Sequence, residues 1–408
     1  MKRTFLSLAI VFSTLLIASQ PLAVVAQTEV KVALIAPMSG AWGRQGQLMQ
    51  LGAEQAIAKI NAEGGIKVLG GAKMRLVVVD AGDSIEKARN AAQRLVSQET
   101  DIVAGTGAWL SSFTLAVTEV TERAEIPWLT LSYSDQITAR GFKYIFQMSP
   151  SAGKQAREAL PTLLELAQSQ TGKRPTSVGI IQDNTALAVS FTKQMREGGI
   201  QTLNLKLAVD ETFTPPLTDA TTLIQRLRTN RPDFLVLLPS NVPDTKLLIE
   251  KMSEFGLGKG RIPTVSSGGQ TGAPELLNAL GKDALEGFMG IVANFPAKGT
   301  EEIVSEFKRR SKEPWMTQDS LMAYVDMYVI KAAIDAAGSA DRKKVAEALR
   351  KMDLRDGPAK LTPGGRIRFD EAGRLIDSPL VILQWQAGVP VTVFPKNSAT
   401  FNPIWPKQ

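Results

Sequence analysis

Ser111 and Ser112 are the residues whose types and spacing most suggest chemistry. Two adjacent hydroxyls precede an apolar-periodic segment, Phe113, Ala116, Val117, Val120 and Ala124, that reads as a helix. The first N–H groups of a helix point outward and carry its positive dipole end, so this pair can hold a carboxylate. The same placement also fits Ser112 capping its own helix. Trp42 and Trp109 stand in Gly-rich loops, where each can stack on an apolar or aromatic ligand group or simply pack. Further ligand-binding candidates lie in loops after apolar runs: Gln45 after Trp42, Tyr133 and Ser134 after Leu131, Asn184 after Asp183, Asn241 after Pro239-Ser240, and Gln270 after Ser266-Ser267-Gly268-Gly269.

Catalysis finds little to work with. The 408 residues contain no His and no Cys. That removes Ser-His-Asp triads, cysteine nucleophiles, disulfides and ordinary zinc, copper or iron–sulfur sites, leaving only oxygen-ligand metals. Ser-x-x-Lys recurs at Ser84, Ser151, Ser190 and Ser305, without the companion Ser-Asp-Asn and Lys-Thr-Gly elements of penicillin-recognising enzymes. Gly-x-Ser-x-Gly and Walker A elements are absent. Gly105-Thr106-Gly107 opens a dinucleotide fingerprint whose sixth position is Leu110. Asp80 and Asp83 flank Gly82, as in a turn after a strand. No catalytic residue, metal or cofactor is expected.

The elements that must position these loops alternate. Val30–Ala36, Met74–Val79, Asp101–Ala104 and Pro127–Leu131 are strand-like, with helical periods between them, such as Met49, Ala53, Ala56, Ile57 and Ile60. The pattern restarts after Ser149-Pro150, with strands at Ser177–Ile181, Gln201–Leu207, Phe234–Leu238 and Ile262–Val265. Glu301–Met352 reads as mostly helical, Pro363–Phe369 as a turn into a strand, and Pro379–Gln384 as another strand. Strands alternating with helices predict an α/β class with parallel sheets flanked by helices, and two such series predict two lobes. Ligands of open parallel sheets sit beyond the carboxyl ends of the strands, where the loops above lie.

Residues 1–26 read as a secretory signal peptide: Lys2-Arg3, the apolar run Phe5–Ala18, and Val24-Val25-Ala26 before a mature start at Gln27. Without Cys there is no lipid-modified cysteine, so the expected location is a Gram-negative-type periplasm. No later segment offers the ~18 apolar residues of a membrane span. The formal charge of +7 loses Lys2 and Arg3 with the leader. The remaining basic residues are spread out, with no basic-aromatic stripe, so nucleic acid is not an expected partner.

Val32-Ala33-Leu34-Ile35-Ala36-Pro37-Met38-Ser39-Gly40, Gly46, Gly52-Ala53-Glu54-Gln55-Ala56-Ile57 and Ile60-Asn61-Ala62-Glu63-Gly64-Gly65-Ile66 resemble the opening of the branched-chain amino-acid (leucine/isoleucine/valine) type of periplasmic solute-binding proteins. Asp80, Ser111-Ser112, Ile126-Pro127, Arg140-Gly141-Phe142 and Glu286-Gly287 continue the resemblance, which runs over Val30–Gln386. It implies two Rossmann-like lobes with three hinge crossings, near Gln147–Gly153, Val292–Lys298 and Leu354–Gly364. The first lobe would hold residues 27–149 and 295–358, the second 150–294 and 359–395, with 396–408 as a tail. It further implies a monomer that traps a small ligand between its lobes and delivers it to the permease subunits of an ABC importer. A sensor of the same fold, passing occupancy to a signalling partner, is the alternative. By the same resemblance, Ser111 and the Tyr133-Ser134 loop grip a ligand carboxylate. The chain departs from the family where Leu187-Ala188 replaces a tyrosine and glycine, and where no acid stands near Gly269-Gln270. An amino-acid ammonium would then need another partner, such as Asp183 or Asp210. An amino acid, a neutral amide, or an aromatic or aliphatic carboxylate are the ligand classes implied.

Overall fold

The computed structural model describes residues 29–405; the expected leader, and the last residues of the tail, lie outside them. In chain order the elements are β1 (Glu29–Ala36), α1 (Gly43–Ala62), β2 (Lys73–Asp80), α2 (Ile85–Gln98), β3 (Ile102–Gly107), α3 (Ser111–Arg123), β4 (Trp128–Thr130) and β5 (Ile145–Gln147). Then come α4 (Ala152–Thr171), β6 (Ser177–Asp183), α5 (Ala186–Gln194), a short α6 (Ile200–Thr202), β7 (Lys206–Phe213), α7 (Thr221–Thr229), β8 (Phe234–Leu238), α8 (Val242–Glu254), β9 (Thr264–Ser267), α9 (Pro274–Leu280), α10 (Lys282–Leu285) and β10 (Met289–Val292). The chain closes with α11 (Glu301–Ser311), α12 (Gln318–Ala337), α13 (Arg342–Arg350), β11 (Asp353–Leu354), β12 (Ile367–Arg368), β13 (Val381–Gln386) and β14 (Val389–Phe394).

Two sheets result. The first runs β2-β1-β3-β4-β5, all parallel. The second runs β14-β13-β10-β9-β8-β6-β7, parallel except that β13 pairs antiparallel with both β10 and β14. β1 and β3 are apolar almost throughout because helices cover both faces of the first sheet. Helices α1 and α12 touch backbone to backbone: a Cβ built on Gly52 would lie 1.9 Å from the Ser320 carbonyl oxygen.

The structure corrects three expectations. Gln201–Leu207 is not a strand. Residues 200–202 are helical, Asn204 takes a left-handed turn with φ 56°, and β7 begins only at Lys206. Residues 359–375, expected in the second lobe, pack in the first: Ala359, Ile367, Phe369 and Leu375 join the core of the first sheet. Arg374 bridges to Gln147 beside β5, and β12 pairs with β11. The cores therefore divide after Leu375 rather than at 354–364, since Leu380 already belongs to the second core. The stretch assigned to a tail also packs. Trp405 is buried in the second core, and Ile404 N–H donates to Gln384 Oε1 at 2.8 Å.

One core carboxyl has a consequence for stability. Asp326 on α12 is fully buried, accepts a 2.5 Å hydrogen bond from Thr106 Oγ1 on β3, and is pushed by burial to a pKa of about 7. Its folded pKa lies above its ordinary value of 3.8. The stabilisation its neutral form provides is therefore complete below about pH 4 and is lost as pH rises through about 7. Asp326→Asn, neutral throughout, is expected to gain on the wild type by a few kcal/mol between pH 4 and pH 8. Urea unfolding at the two pH values measures this; an unchanged difference between variant and wild type would refute it.

Candidate functional site

The site is built where chain ends of strands meet. β3 leads into Gly107, Ala108 and Trp109, three consecutive residues with φ of 117°, 65° and 45°. A side chain on Gly107 would strike the Ile35 carbonyl oxygen at 2.0 Å, so only glycine fits there. Left-handed Ala and Trp cost backbone strain of about 1–3 kcal/mol each, a cost that clusters at functional sites. Here it turns the Trp109 indole inward and begins α3 at Ser111. Leu110, not a serine, occupies the position before the helix, and it makes no side-chain cap.

A pocket lies between the sheets. Its walls come from the loops after β3 (Trp109, Leu110, Ser111), β4 (Leu131, Ser132, Tyr133), β6 (Thr185, Leu187, Ala188), β8 (Pro239, Ser240) and β9 (Gly268, Gly269, Gln270), all carboxyl ends of strands. Gln318, at the head of α12, completes it. Among the described residues no charged side chain lines it. Its character is apolar with a few hydroxyl and amide groups, as in small-molecule sites.

Of the ten sequence candidates, the structure gathers Trp109, Ser111, Tyr133 and Gln270 around this cavity. The Ser111 hydroxyl oxygen accepts from the backbone N–H of Tyr133 (3.2 Å) and Ser134 (3.1 Å), so its own proton is left to donate. Trp109 Nε1 donates to Asp319 Oδ1 at 2.9 Å. The Tyr133 hydroxyl donates to Gln318 Oε1 and accepts from Ala293 N–H at 2.9 Å, and burial raises its pKa. Gln270 Nε2 is held by the Pro239 and Ser267 carbonyls at 2.7 and 3.0 Å.

The other six lie elsewhere. Trp42 donates its Nε1 to the Ser240 carbonyl at 3.2 Å and meets Phe113 edge-on, tying the lobes rather than facing the cavity. Gln45 is buried in α1, with neither amide atom partnered among the described residues. Ser112 accepts from Ala186 N–H at 3.4 Å and caps nothing. Ser134 shares a 2.8 Å hydroxyl contact with Ser190, and Asn184 is exposed and donates to Thr214. Asn241 caps α8 through Asp244 N–H at 2.7 Å. Chain proximity to a cavity loop brought these residues into the candidate set; side-chain direction takes them out.

Sequence reasoning missed Gln318 and Asp319. Asp319 is fully buried, and its carboxylate rests against Gly269, 2.2 Å from where a Cβ would be. An acid therefore does stand beside Gly269-Gln270, supplied in space by α12. Desolvation raises it to a pKa of about 7, with the Trp109 and Gln318 side chains pulling the other way. The alternative ammonium partners are otherwise engaged. Asp183 binds Thr185 and the Ser240 N–H, and Asp210 pairs with Arg196 at the surface. The only local signal for the α12 head is Thr317, whose hydroxyl caps the helix by accepting from Ser320 N–H. Among the described residues no group of His, Cys, Asp and Glu could hold a metal ion, and no helix is long and apolar enough to cross a membrane.

Comparison with known proteins follows the same outline. A family model described as periplasmic binding protein matches residues 29–390. The Leu/Ile/Val-binding protein homolog 8 of Brucella melitensis is 26% identical over 385 residues, covering 92% of each chain. A leucine-binding protein from Thermotoga maritima shares the fold with a TM-score of 0.75 at 22% identity, covering 89% of this chain and 97% of that one. A solute-binding protein of an ABC transporter from R. palustris, solved with benzoate, superposes with a TM-score of 0.74 at 17% identity, covering 93% and 98%.

Proposed function

The chain belongs to the periplasmic binding protein family, and from that premise we propose that it captures a small carboxylate with an apolar body between its lobes and hands it to an ABC importer. It is a binding protein, not an enzyme. The observation that carries the ligand class is the cavity wall: α3 amides and the Ser111 hydroxyl offer donors for a carboxylate, Trp109, Leu131, Leu187 and Leu238 offer an apolar surface, and no charged side chain faces it. An α-ammonium buried there without a counter-ion would cost several kcal/mol. The benzoate complex of the R. palustris protein is a precedent for such a ligand. Location in the periplasm after leader removal, a monomeric state and permease subunits as partners complete the proposal. A sensor would use the same capture step. Deletion of the gene for this protein separates the two, abolishing uptake of the ligand in the first case and leaving it intact in the second.

A second reading has a specific observation behind it. Asp319 Oδ2 has no partner among the described residues and lies behind Trp109 and Gly269. An amino acid could use it as its counter-ion, and the Thermotoga maritima neighbour is a leucine-binding protein. The two readings differ in pH dependence. Amino-acid binding would strengthen as pH rises through about 7, where Asp319 ionises. Binding of a simple carboxylate would not. A thermal-shift panel decides, run on protein refolded to strip carried-over ligand, with leucine, its deaminated analogue 4-methylpentanoate, and benzoate. A ligand at 100 times its Kd adds about 2.7 kcal/mol of stability. Shifts by the two acids without leucine support the first reading; a leucine shift that grows from pH 6 to pH 8 supports the second.

Closure itself has a visible latch. Arg44 on α1 reaches Glu275 on α9 of the other lobe at 2.5 Å, and Glu313 at 2.6 Å. The Arg44–Glu275 pair is partly exposed, so its contribution is modest and screened by salt. Glu275→Gln is expected to weaken the wild type's best panel ligand by roughly 3–5-fold in low salt. The difference should shrink at 0.5 M salt, and calorimetric titration at both ionic strengths checks it.

A further inference from the structure

The Gln318 side chain is 1% exposed, and its orientation is settled by chemistry. Its Oε1 faces the Ala293 backbone N–H at 2.7 Å and also takes the Tyr133 hydroxyl proton. A backbone N–H can only donate, so the amide atom facing it must be the oxygen. The nitrogen is thereby turned away from both neighbours. Gln318 lines the cavity, and its Nε2 makes no well-formed hydrogen bond among the described residues, although it lies close enough to the Asp319 carboxylate to favour its charged form. A buried donor left unmet costs about 1–3 kcal/mol, a cost that an acceptor brought by a ligand would remove.

We propose that Gln318 Nε2 is a ligand-binding donor that takes an acceptor oxygen of the bound molecule, and so selects for ligands carrying a carboxylate or carbonyl oxygen at the α12 end of the cavity. This rests on the ligand class proposed above. The residue also joins ligand to hinge. Ala293 directly follows β10, where the chain leaves the second sheet for α11, while Tyr133 follows β4 of the first sheet. One side-chain amide thus spans a strand exit from each lobe with its oxygen and offers its nitrogen to what lies between. Ser240 Oγ, on the same wall, is a second polar group without a well-formed hydrogen bond among the described residues.

Gln318→Glu separates a ligand-binding role from a structural one. Glutamate keeps the acceptor for Ala293 and Tyr133 but removes the donor and presents an anion. The expected result, by titration calorimetry with 4-methylpentanoate and benzoate, is an apparent Kd raised at least roughly 30-fold, with the unliganded far-UV spectrum unchanged. Gln318→Met, which lacks both groups while Tyr133 still holds Ala293, should weaken binding by roughly 10-fold. In wild-type protein, the assigned Gln318 side-chain amide resonances should shift when the probe is added, a readout that needs no variant to fold. Wild-type affinity in both variants, or amide resonances unmoved by a probe that binds, would overturn the assignment and leave the ligand class standing. A wild type that binds neither acid would overturn the ligand class, and the assignment with it.

Discussion

Ser111→Ala is expected to destabilise the protein by about 2–4 kcal/mol and to raise the Kd of the captured acid at least roughly 100-fold. The two effects have one cause. The Ser111 oxygen accepts from the backbone N–H groups of Tyr133 and Ser134 and thereby fixes the loop after β4, which supplies Leu131, Ser132 and Tyr133 to the cavity wall. Alanine leaves both buried N–H groups unpaired, and each costs about 1–3 kcal/mol. It also removes the hydroxyl proton at the start of α3 that is free to donate into the pocket. The neighbouring Ser112 is the control. It lies off the cavity wall and makes only a 3.4 Å contact with Ala186 N–H, so Ser112→Ala should stay within about 1 kcal/mol of the wild type. Urea unfolding and calorimetric titration of both variants test this. Equal effects from the two serines would mean that the hydroxyl pair acts only through the helix start.

The largest stability effect is expected at a residue off the cavity wall. Gly52→Val should cost more than ~3 kcal/mol and unfold a large fraction of the protein at 37 °C. A Cβ at residue 52 would stand 1.9 Å from the Ser320 carbonyl oxygen and 2.6 Å from its carbon, and both contacts are to backbone that cannot rotate away. Helices α1 and α12 would have to separate. The head of α12 carries Gln318 and Asp319, so even the fraction that folds should bind weakly. Gly172→Ala gives the contrast. That glycine has φ 70° at the end of α4 but nothing within 4 Å of its Cβ position, so only the backbone penalty of about 1 kcal/mol applies. Thermal unfolding of the two variants separates steric from conformational cost; similar losses would contradict the close approach of the helices.

How much of this was readable in the chain depends on the range over which each signal acts. The parallel sheets were legible because β1, β3 and β8 are short apolar runs and α1 and α2 repeat their apolar residues at helical spacing. The strand-end loops were legible for the same reason, since a loop is what remains between two periodic segments. Direction was not legible. Ser111 and Ser112 are adjacent, yet one faces the cavity and the other the opposite lobe, a distinction that depends on where α3 starts. Leu203 and Leu205 alternate like a strand, but the left-handed Asn204 between them ends a helical turn instead. The segment 359–375 carries only a two-residue strand, with no period to reveal which lobe it joins. Gln318 and Asp319 lie 185 and 210 residues from Tyr133 and Trp109, their hydrogen-bond partners. Reading along the chain, no acid stands near Gly269; folding brings one there.

The most direct test of the account is a calorimetric titration of refolded wild-type protein with 4-methylpentanoate and with leucine, molecules that differ only by the ammonium. The account predicts one site per chain for the deaminated acid and affinity for leucine at least roughly tenfold weaker, because no carboxylate faces the cavity to pair its charge. Leucine binding as tight as or tighter than the deaminated acid would contradict it and make Asp319 the counter-ion.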